Sequence, residues 1–475
     1  MFRKQDTSIH FVGIGGIGMS GIAEVLVNLG YRVTGTDLAD SETTRRLTQL
    51  GATIHRGHAA EHLGDPDVVV ISSAIRADNP EVVAARARRI PVIPRAEMLA
   101  ELMRLKQGIA IAGSHGKTTT TSLIATVLRA AGCDPTVVIG GKLNALGTNA
   151  SLGKSDLMVV EADESDGSFL LLSPMVAVIT NIDDEHLDHY TTPERLVDAF
   201  LGFANRVPFY GLAVVCADDP RLAALLPRLH KPFVTYGFDP AADYVAEEIG
   251  HDGPNTRFRV RGKGRDLGVF VVHMPGIHNV LNALATIAVA DYLDLPASVA
   301  RGALAEFGGV QRRFTVRGEA GGTLVVDDYG HHPTEIRATL RGARTGYPDR
   351  RIVAVFQPHR YTRTRDHIDG FAACLAEADV VVLTDIYAAG EAPIDGVTIE
   401  RLVALTRAQR PELKVLLERD VDQVGATVSE LAEAGDLIIT LGAGSITRVS
   451  HEIAARLVPA AAPARRVDAA ARPAL

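Results

Sequence analysis

Short runs rich in Val and Ile recur along the chain, each ending at a glycine turn or a polar break. They read SIHFVGIGG, DVVVISS, GIAIAGSHG, DLMVVEAD, VAVITNID, TLVVDDYG, RIVAVFQP, VVVLTDIY and DLIITLGAG. Helical stretches fall between several of them, at Met19 to Leu29, Thr119 to Ala131, Val280 to Leu293 and His367 to Ala378. A strand covered by helices on both faces is apolar throughout rather than alternating. The alternation therefore predicts α/β layers with mostly parallel sheets. With 475 residues, and roughly 150 residues per domain, about three domains are expected.

The balance of Lys plus Arg (49) against Asp plus Glu (57) leaves a net charge of −8. A surface that holds a nucleic-acid backbone leans basic, so no nucleic-acid partner is expected. Cys133, Cys216 and Cys374 lie far apart with no CxxC spacing, which argues against a disulfide framework or a thiolate metal site and for a reducing cytosol. No apolar run approaches the 18 or so residues that span a bilayer, so membrane insertion is not expected.

The first chemical motif is Gly13-Ile14-Gly15-Gly16-Ile17-Gly18, between the strand Ile9 to Val12 and a helix that continues through Met19 and Ser20. Acidic Asp37 follows the next strand. Glycines allow the tight turn and let amides at a helix N-terminus approach a diphosphate. NAD, FAD and nucleotide-sugar diphosphates all suit the pattern, and plain close packing is its bland alternative. The second motif is Gly113-Ser114-His115-Gly116-Lys117-Thr118-Thr119, again between strand and helix. Its amides can cradle phosphates, Lys117 can reach the β and γ groups, and the Thr118 hydroxyl can ligate Mg²⁺. It departs from G-x-x-x-x-G-K-T in having Ile111 at the first glycine.

Two acidic clusters end the next strands: Glu161-Ala162-Asp163-Glu164-Ser165-Asp166, and Asn181 to Asp188 with His186 among its carboxylates. Ligands of open α/β sheets gather at the carboxyl ends of strands, and oxygen ligands with one imidazole suit Mg²⁺ beside ATP. Either cluster alone would pass for a solvated loop. Further on, His278 and Asn279 stand at a helix start, where capping alone accounts for Asn279 as readily as binding does. Arg312 and Arg313 stand at an expected domain junction. The last third carries Asp327-Asp328-Tyr329-Gly330-His331-His332 and Gln357-Pro358-His359-Arg360-Tyr361-Thr362-Arg363, each after a buried strand. The second of these suits a clamp for an anionic substrate and a solvated basic loop equally well.

These motifs resemble the Mur ligases of bacterial cell-wall synthesis, and most closely their alanine-adding branch. The match runs from HFVGIGGIGMSGIAEVL through ISSAI, PRAEMLAEL, GSHGKTTTTSLIA, EADESDGSFL, HNVLNALA, GVQRRF, DDYGHHPTEI and QPHRYTRT to LGAGSIT. The resemblance implies a cytoplasmic ligase of peptidoglycan precursor synthesis, and so of cell shape and division. ATP would phosphorylate the carboxylate of UDP-N-acetylmuramate, and the amine of L-alanine would attack the acyl phosphate. It implies a Rossmann-like UDP-sugar domain over residues 1–105 and a central P-loop ATPase-type domain over 106–313. The stretch from Tyr236 to Met274 has no helical period of its own and reads as a small antiparallel excursion inside that domain. A Rossmann-like C-terminal domain would cover 314–457, and the Ala-, Pro- and Arg-rich residues 458–475 would form a disordered tail.

By motif match, Lys117, Glu161, His186 and Arg313 would be catalytic, and Thr118, Glu161 and His186 would hold Mg²⁺. Gly113 to Thr119, His278, Asn279, Arg313 and Asp328 would hold ATP. Gly15, Gly16, Ile17, Gly18, Met19, Ser20, Asp37, Ser72 and Ser73 would hold the UDP-sugar, and Tyr329, His331, His359, Arg360 and Arg363 the muramoyl and amino-acid groups. Several sibling ligases carry a carbamoylated lysine in the central domain, whereas this chain has no Lys between Lys154 and Lys231. Neither motifs nor resemblance chooses between a monomer and a dimer. Two competitors remain: a nicotinamide dehydrogenase, in which the phosphate loop would be idle, and an ATP-binding switch, in which the His and Arg groups would be. Within the family the competitor is the recycling ligase that attaches a preformed peptide.

Overall fold

The computed structural model describes residues 7–72, 74–139 and 150–457. Ser73 and the expected tail at 458–475 lie outside the described residues. Three sheets build three α/β domains. The first holds β1 (Ser8–Val12), β2 (Arg32–Asp37), β3 (Thr53–Arg56), β4 (Val68–Ile71) and β5 (Val92–Pro94) in the order β3-β2-β1-β4-β5, all parallel.

The second sheet comprises β6 (Gln107–Ala112), β7 (Thr136–Val138), β8 (Ala150–Ser151), β9 (Leu157–Glu161), β10 (Val176–Ile179), β11 (Leu212–Cys216), β12 (Phe233–Gly237), β13 (Tyr244–Asp252), β14 (Asn255–Gly262) and β15 (Arg265–Val272). Its order is β15-β14-β13-β12-β11-β10-β6-β9-β7-β8. Pairing is antiparallel at β13/β14, β14/β15 and β7/β8 and parallel elsewhere. The antiparallel excursion expected after Tyr236 is present as β13, β14 and β15, and β13 joins it to the sheet by pairing parallel with β12.

The third sheet holds β16 (Thr315–Ala320), β17 (Thr323–Asp328), β18 (Ile352–Phe356), β19 (Val380–Leu383), β20 (Lys414–Leu417) and β21 (Leu437–Leu441) in the order β16-β17-β21-β18-β19-β20, with only β16 antiparallel. By contacts the chain forms two compact units, residues 1–311 with the first two sheets and residues 312–475 with the third.

The central strands β1, β6, β10, β17, β18 and β21 are buried almost throughout, which is why their sequences are mostly apolar. Their order places the motifs. β6 lies between β10 and β9, so the phosphate-loop turn leaving β6 is flanked by the acidic segments leaving its neighbours. Such crevices at the carboxyl ends of strands are where open α/β sheets bind ligands. Each of the four expected helices starts earlier than its periodicity indicates, and two of these early starts bear on the motifs. The helix after β6 is Lys117–Ala130, so Lys117 and Thr118 occupy its first turn. The helix after β18 is Tyr361–Leu375, with a kink at His367. Tyr361 to Arg365 are therefore helical rather than loop, an early turn that the polar sequence hides.

Candidate active site

The turn after β6 is shaped by two glycines. Gly113 has φ +135° and Gly116 has φ +83°, both in the region L side chains avoid. A Cβ at Gly113 would collide with the Thr180 hydroxyl, and one at Gly116 would lie 2.7 Å from Asn282 Oδ1. The residues after β10 hold the loop open. The Thr180 hydroxyl donates to the His115 carbonyl at 2.6 Å, Asn181 Oδ1 accepts from the His115 amide at 2.8 Å, and the Asp183 amide donates to Ser114 Oγ at 2.8 Å. His115 Nε2 lies 3.0 Å from Asp183 Oδ2. On the far side Thr120 donates to Asn282 Oδ1 at 3.1 Å. Thr119 is buried in the same helical turn.

Into this frame the chain brings one cation and several carboxylates. Lys117 Nζ donates to the Gly113 carbonyl at 2.6 Å, to the Ser114 carbonyl at 3.2 Å and to Glu164 Oε1 at 2.7 Å. Burial disfavours the ammonium, but the charges of Glu164 and Glu161 outweigh that and hold its pKa above the ordinary lysine value. Thr118 Oγ1 donates to both oxygens of Glu161, at 3.0 and 3.1 Å. Glu164 is 1% exposed, and burial raises its carboxyl to about 7 against the opposing pull of Lys117. Its Oε2 is buried without a hydrogen-bond partner among the described residues.

His186 has φ +59° and opens the short helix Leu187–Tyr190. Its Nε2 stands 4.0 Å from Glu164 Oε1 and 3.9 Å from Glu185 Oε2. His186 thus has Glu164 and Glu185 within 4.0 Å, and Thr118 donates to Glu161. A hydroxyl, carboxylates and an imidazole form an oxygen-rich donor set that fits Mg²⁺, and the partnerless Glu164 oxygen is an acceptor such a cation would satisfy.

The glycine turn of the first domain is made differently. The amides of Gly13 and Ile14 donate to the Thr36 carbonyl at 2.8 and 2.9 Å. Asp37 accepts from the Gly15 amide at 2.8 Å through Oδ2 and from the Ala39 amide at 3.1 Å through Oδ1. Gly16 caps the helix that begins at Ile17, and Met19 and Ser20 are buried in its first turn. Ser72 lies just beyond β4. The Arg95 guanidinium occupies the space a Cβ at Gly18 would need, and its Nη2 donates to Asp163 at 3.0 Å. Gly18, Arg95, Lys117, Glu161 and Asp163 line one cavity of about 160 Å³. The structure thus brings the two glycine turns to a common crevice.

Asn279 is not a helix cap: Gly276 is, at φ +97°, and Asn279 Nδ2 donates to the Pro275 carbonyl at 2.9 Å from within the first turn. His278, beside it, is partly exposed.

In the C-terminal unit Asp328 is a staple. It accepts from the Phe314 amide at 2.8 Å and the Gly330 amide at 2.8 Å, and burial raises its pKa despite the charge of Arg313. Tyr329 lies under two guanidiniums, 4.7 Å from Arg312 and 5.3 Å from Arg313 to the ring centroid. Arg313 also reaches Glu335 at 3.4 Å, and the His331 amide donates to the same carboxylate at 3.1 Å. After β18, Arg363 Nη1 lies 3.4 Å from His359 Nδ1, and Arg360 adopts φ +73°. Burial, then the charges of Arg363, His331 and Arg360, lower His359 to about 4, so its imidazole is neutral.

Sequence reasoning passed over Arg95 and the specific roles of Glu164, Thr180, Asn181 and Asn282. Glu164 and Asn181 stood inside the noted clusters, and the neighbourhood of β6, β9 and β10 was the signal that would have separated them.

Three family profiles match in succession: the Mur ligase family catalytic domain over residues 8–107, the Mur ligase middle domain over 111–290, and the Mur ligase glutamate ligase domain over 312–444. The UDP-N-acetylmuramate–L-alanine ligase of Myxococcus xanthus is 60% identical over 450 residues, 95% of each chain. Its counterpart in Anaeromyxobacter sp. is 59% identical over 453 residues, covering 95% of this chain and 98% of the relative. Among solved structures, the UDP-N-acetylmuramate–alanine ligase of Thermotoga maritima superposes with TM-score 0.80 at 32% identity, covering 94% of this chain and 98% of that one. A murein peptide ligase of Psychrobacter arcticus superposes with TM-score 0.69 at 27% identity, over 96% and 100%. A phosphate loop flanked by two acidic strand ends, and three family domains matched in order along the chain, lead to one conclusion: this chain belongs to the Mur ligase family.

Proposed function

We propose that the enzyme joins L-alanine to the carboxylate of UDP-N-acetylmuramate at the expense of ATP, releasing ADP and phosphate, in the cytoplasmic synthesis of peptidoglycan precursors. The observation that carries the reading is the phosphate loop itself, with Lys117 on Glu164 and Thr118 on Glu161 at the mouth of a crevice shared with the first glycine turn. We assign domain limits of 1–105, 106–313 and 314–457.

In this reading the amides of Gly113 to Thr119 and the Lys117 ammonium hold the phosphates of ATP, and His278, Asn279, Arg313 and Asp328 belong to the same nucleotide. The ammonium offsets charge that builds on the transferred phosphoryl group. Thr118, Glu161 and His186 would hold Mg²⁺, with Glu164 beside them, and the ion when bound supplies charge neutralisation across the phosphates. Gly15 to Ser20, Asp37, Ser72 and Ser73 hold the UDP moiety. The muramoyl carboxylate takes the γ-phosphoryl group, and the alanine amine attacks the resulting acyl phosphate. Tyr329, His331, His359, Arg360 and Arg363 orient the carboxylates of the acceptor and the amino acid, a task that suits a planar guanidinium. A neutral His359 leaves positive charge there to the arginines.

Phosphate release tests the reading and separates it from the recycling activity. With UDP-N-acetylmuramate and ATP present, L-alanine should support turnover and L-Ala-γ-D-Glu-meso-diaminopimelate should not. Turnover with the tripeptide and none with L-alanine would assign the chain to the recycling branch.

A further inference from the structure

Glu164, which the proposed function sets beside the Mg²⁺ ligands, also holds the phosphate-loop lysine, a contact the ligation scheme gives no task. It is 1% exposed, and its Oε1 accepts from Lys117 at 2.7 Å while Oε2 has no hydrogen-bond partner. Its backbone is fixed from the other acidic segment: the Tyr190 hydroxyl donates to the Glu164 carbonyl at 2.5 Å, and the Gly167 amide donates to it at 3.0 Å. The carboxylate is thus aimed at the ammonium by a frame of its own.

An ammonium has three hydrogens. Here all three are taken, by two loop carbonyls and Glu164. A phosphate that recruits Lys117 must either displace one of these acceptors or share the cation with a carboxylate a few ångström from its own negative oxygens. Displacing the charged acceptor strands a buried anion, and sharing sets like charges side by side. Both oppose the arriving nucleotide.

Resting on the assignment of the phosphate loop to ATP, we propose that Glu164 is a positioning residue that holds Lys117 in its ready place between turnovers, and that nucleotide binding must overcome this hold. Glutamine at this position keeps the shape and an acceptor for the ammonium but carries no charge. Aspartate keeps the charge.

The test is calorimetric titration of the full chain with metal-free ADP in EDTA, run on wild type, Glu164→Gln, Glu164→Asp and Lys117→Ala. Circular dichroism melts check that each variant is folded. The hold predicts that Glu164→Gln binds ADP about tenfold tighter, the size expected when one charge-assisted hydrogen bond need not be broken. Glu164→Asp should stay near wild type, because it keeps the charge that holds the ammonium. Unchanged or weaker ADP binding by a folded Glu164→Gln, while Lys117→Ala still loses ADP, would overturn the hold and leave the ATP assignment standing. Equal ADP binding by wild type and Lys117→Ala would overturn both.

Discussion

Glu81 and Glu164 are both almost completely buried carboxylates near the carboxyl ends of their sheets, and they are shifted in opposite directions. Glu81 sits in the first turn of helix Pro80–Ala87. It lies 2.7 Å from His10 Nε2 and 2.9 Å from His58 Nδ1, and it accepts from the Thr36 hydroxyl at 2.9 Å. Burial pushes its pKa up, but those hydrogen bonds more than reverse the push and leave it below the usual value. Glu164 has a side-chain hydrogen bond to Lys117, an oxygen with none among the described residues, and a pKa raised to about 7. A buried polar network that is complete adds rigidity, and one left short of a donor stores a demand for one. The first sheet carries a finished structural network under its glycine turn. The second keeps an unfinished one beside its phosphate loop, against the ammonium that the proposed function gives to ATP.

The largest effect should come from Lys117→Ala, which removes the cation around which the second site is built. Phosphate release in a coupled assay should fall by orders of magnitude, since positioning and charge stabilisation supply most phosphoryl-transfer catalysis. Near-normal turnover would erase the functional contrast between the two regions.

Next comes Glu81→Gln, which breaks the completed network. Urea unfolding at neutral pH should show a loss of about 2–4 kcal/mol. The pH dependence has a definite sign. A carboxyl whose folded pKa lies below the unfolded 4.5 contributes stability that is present above pH 4.5 and disappears as pH falls through the folded pKa. Wild type should therefore lose its advantage over Glu81→Gln on acidification, and an advantage that grew with acid would contradict the network.

Gly113→Ala should cost about 1–3 kcal/mol from backbone strain alone, with the collision at Thr180 added, whereas Gly16→Ala should be nearly silent in stability. Gly16 has φ −61°, and a Cβ there meets the Gly13 carbonyl at an ordinary 3.4 Å. Equal melting-temperature losses in the two variants would remove the distinction between the turns. The smallest effect is expected for Glu164→Gln, whose unfolding free energy at neutral pH should stay within about 1 kcal/mol of wild type, because deleting a buried, poorly satisfied charge offsets the lost ion pair.

Much of this architecture was legible in the sequence. Buried parallel strands are unbroken apolar runs, so β1, β4, β6, β9, β10, β17, β18, β19 and β21 stand out, and the glycine turns after β1 and β6 follow directly. The early start of helix Tyr361–Leu375 did not stand out, because its first turns are Arg and Thr and only Thr364 among Tyr361 to His367 is buried. Glu161 is visible at the end of its strand. Glu164 reaches Lys117 from a backbone held by the Gly167 amide and by a tyrosine 26 residues further on, and local spacing does not encode the second contact. The Arg95–Asp163 pair spans 68 residues and two domains. Asp37 and Asp328 stand out at their motif positions, but the backbone amides that each carboxylate accepts, which shape its turn, do not.

The central claim is a division of labour, with nucleotide phosphates at the turn after β6 and the UDP-sugar at the turn after β1. Calorimetry on folded Lys117→Ala, titrated separately with ADP and with UDP-N-acetylmuramate, tests it most directly. The account predicts that ADP binding is lost while UDP-N-acetylmuramate binds with near wild-type affinity. Retained ADP binding, or loss of the UDP-sugar instead, would contradict it.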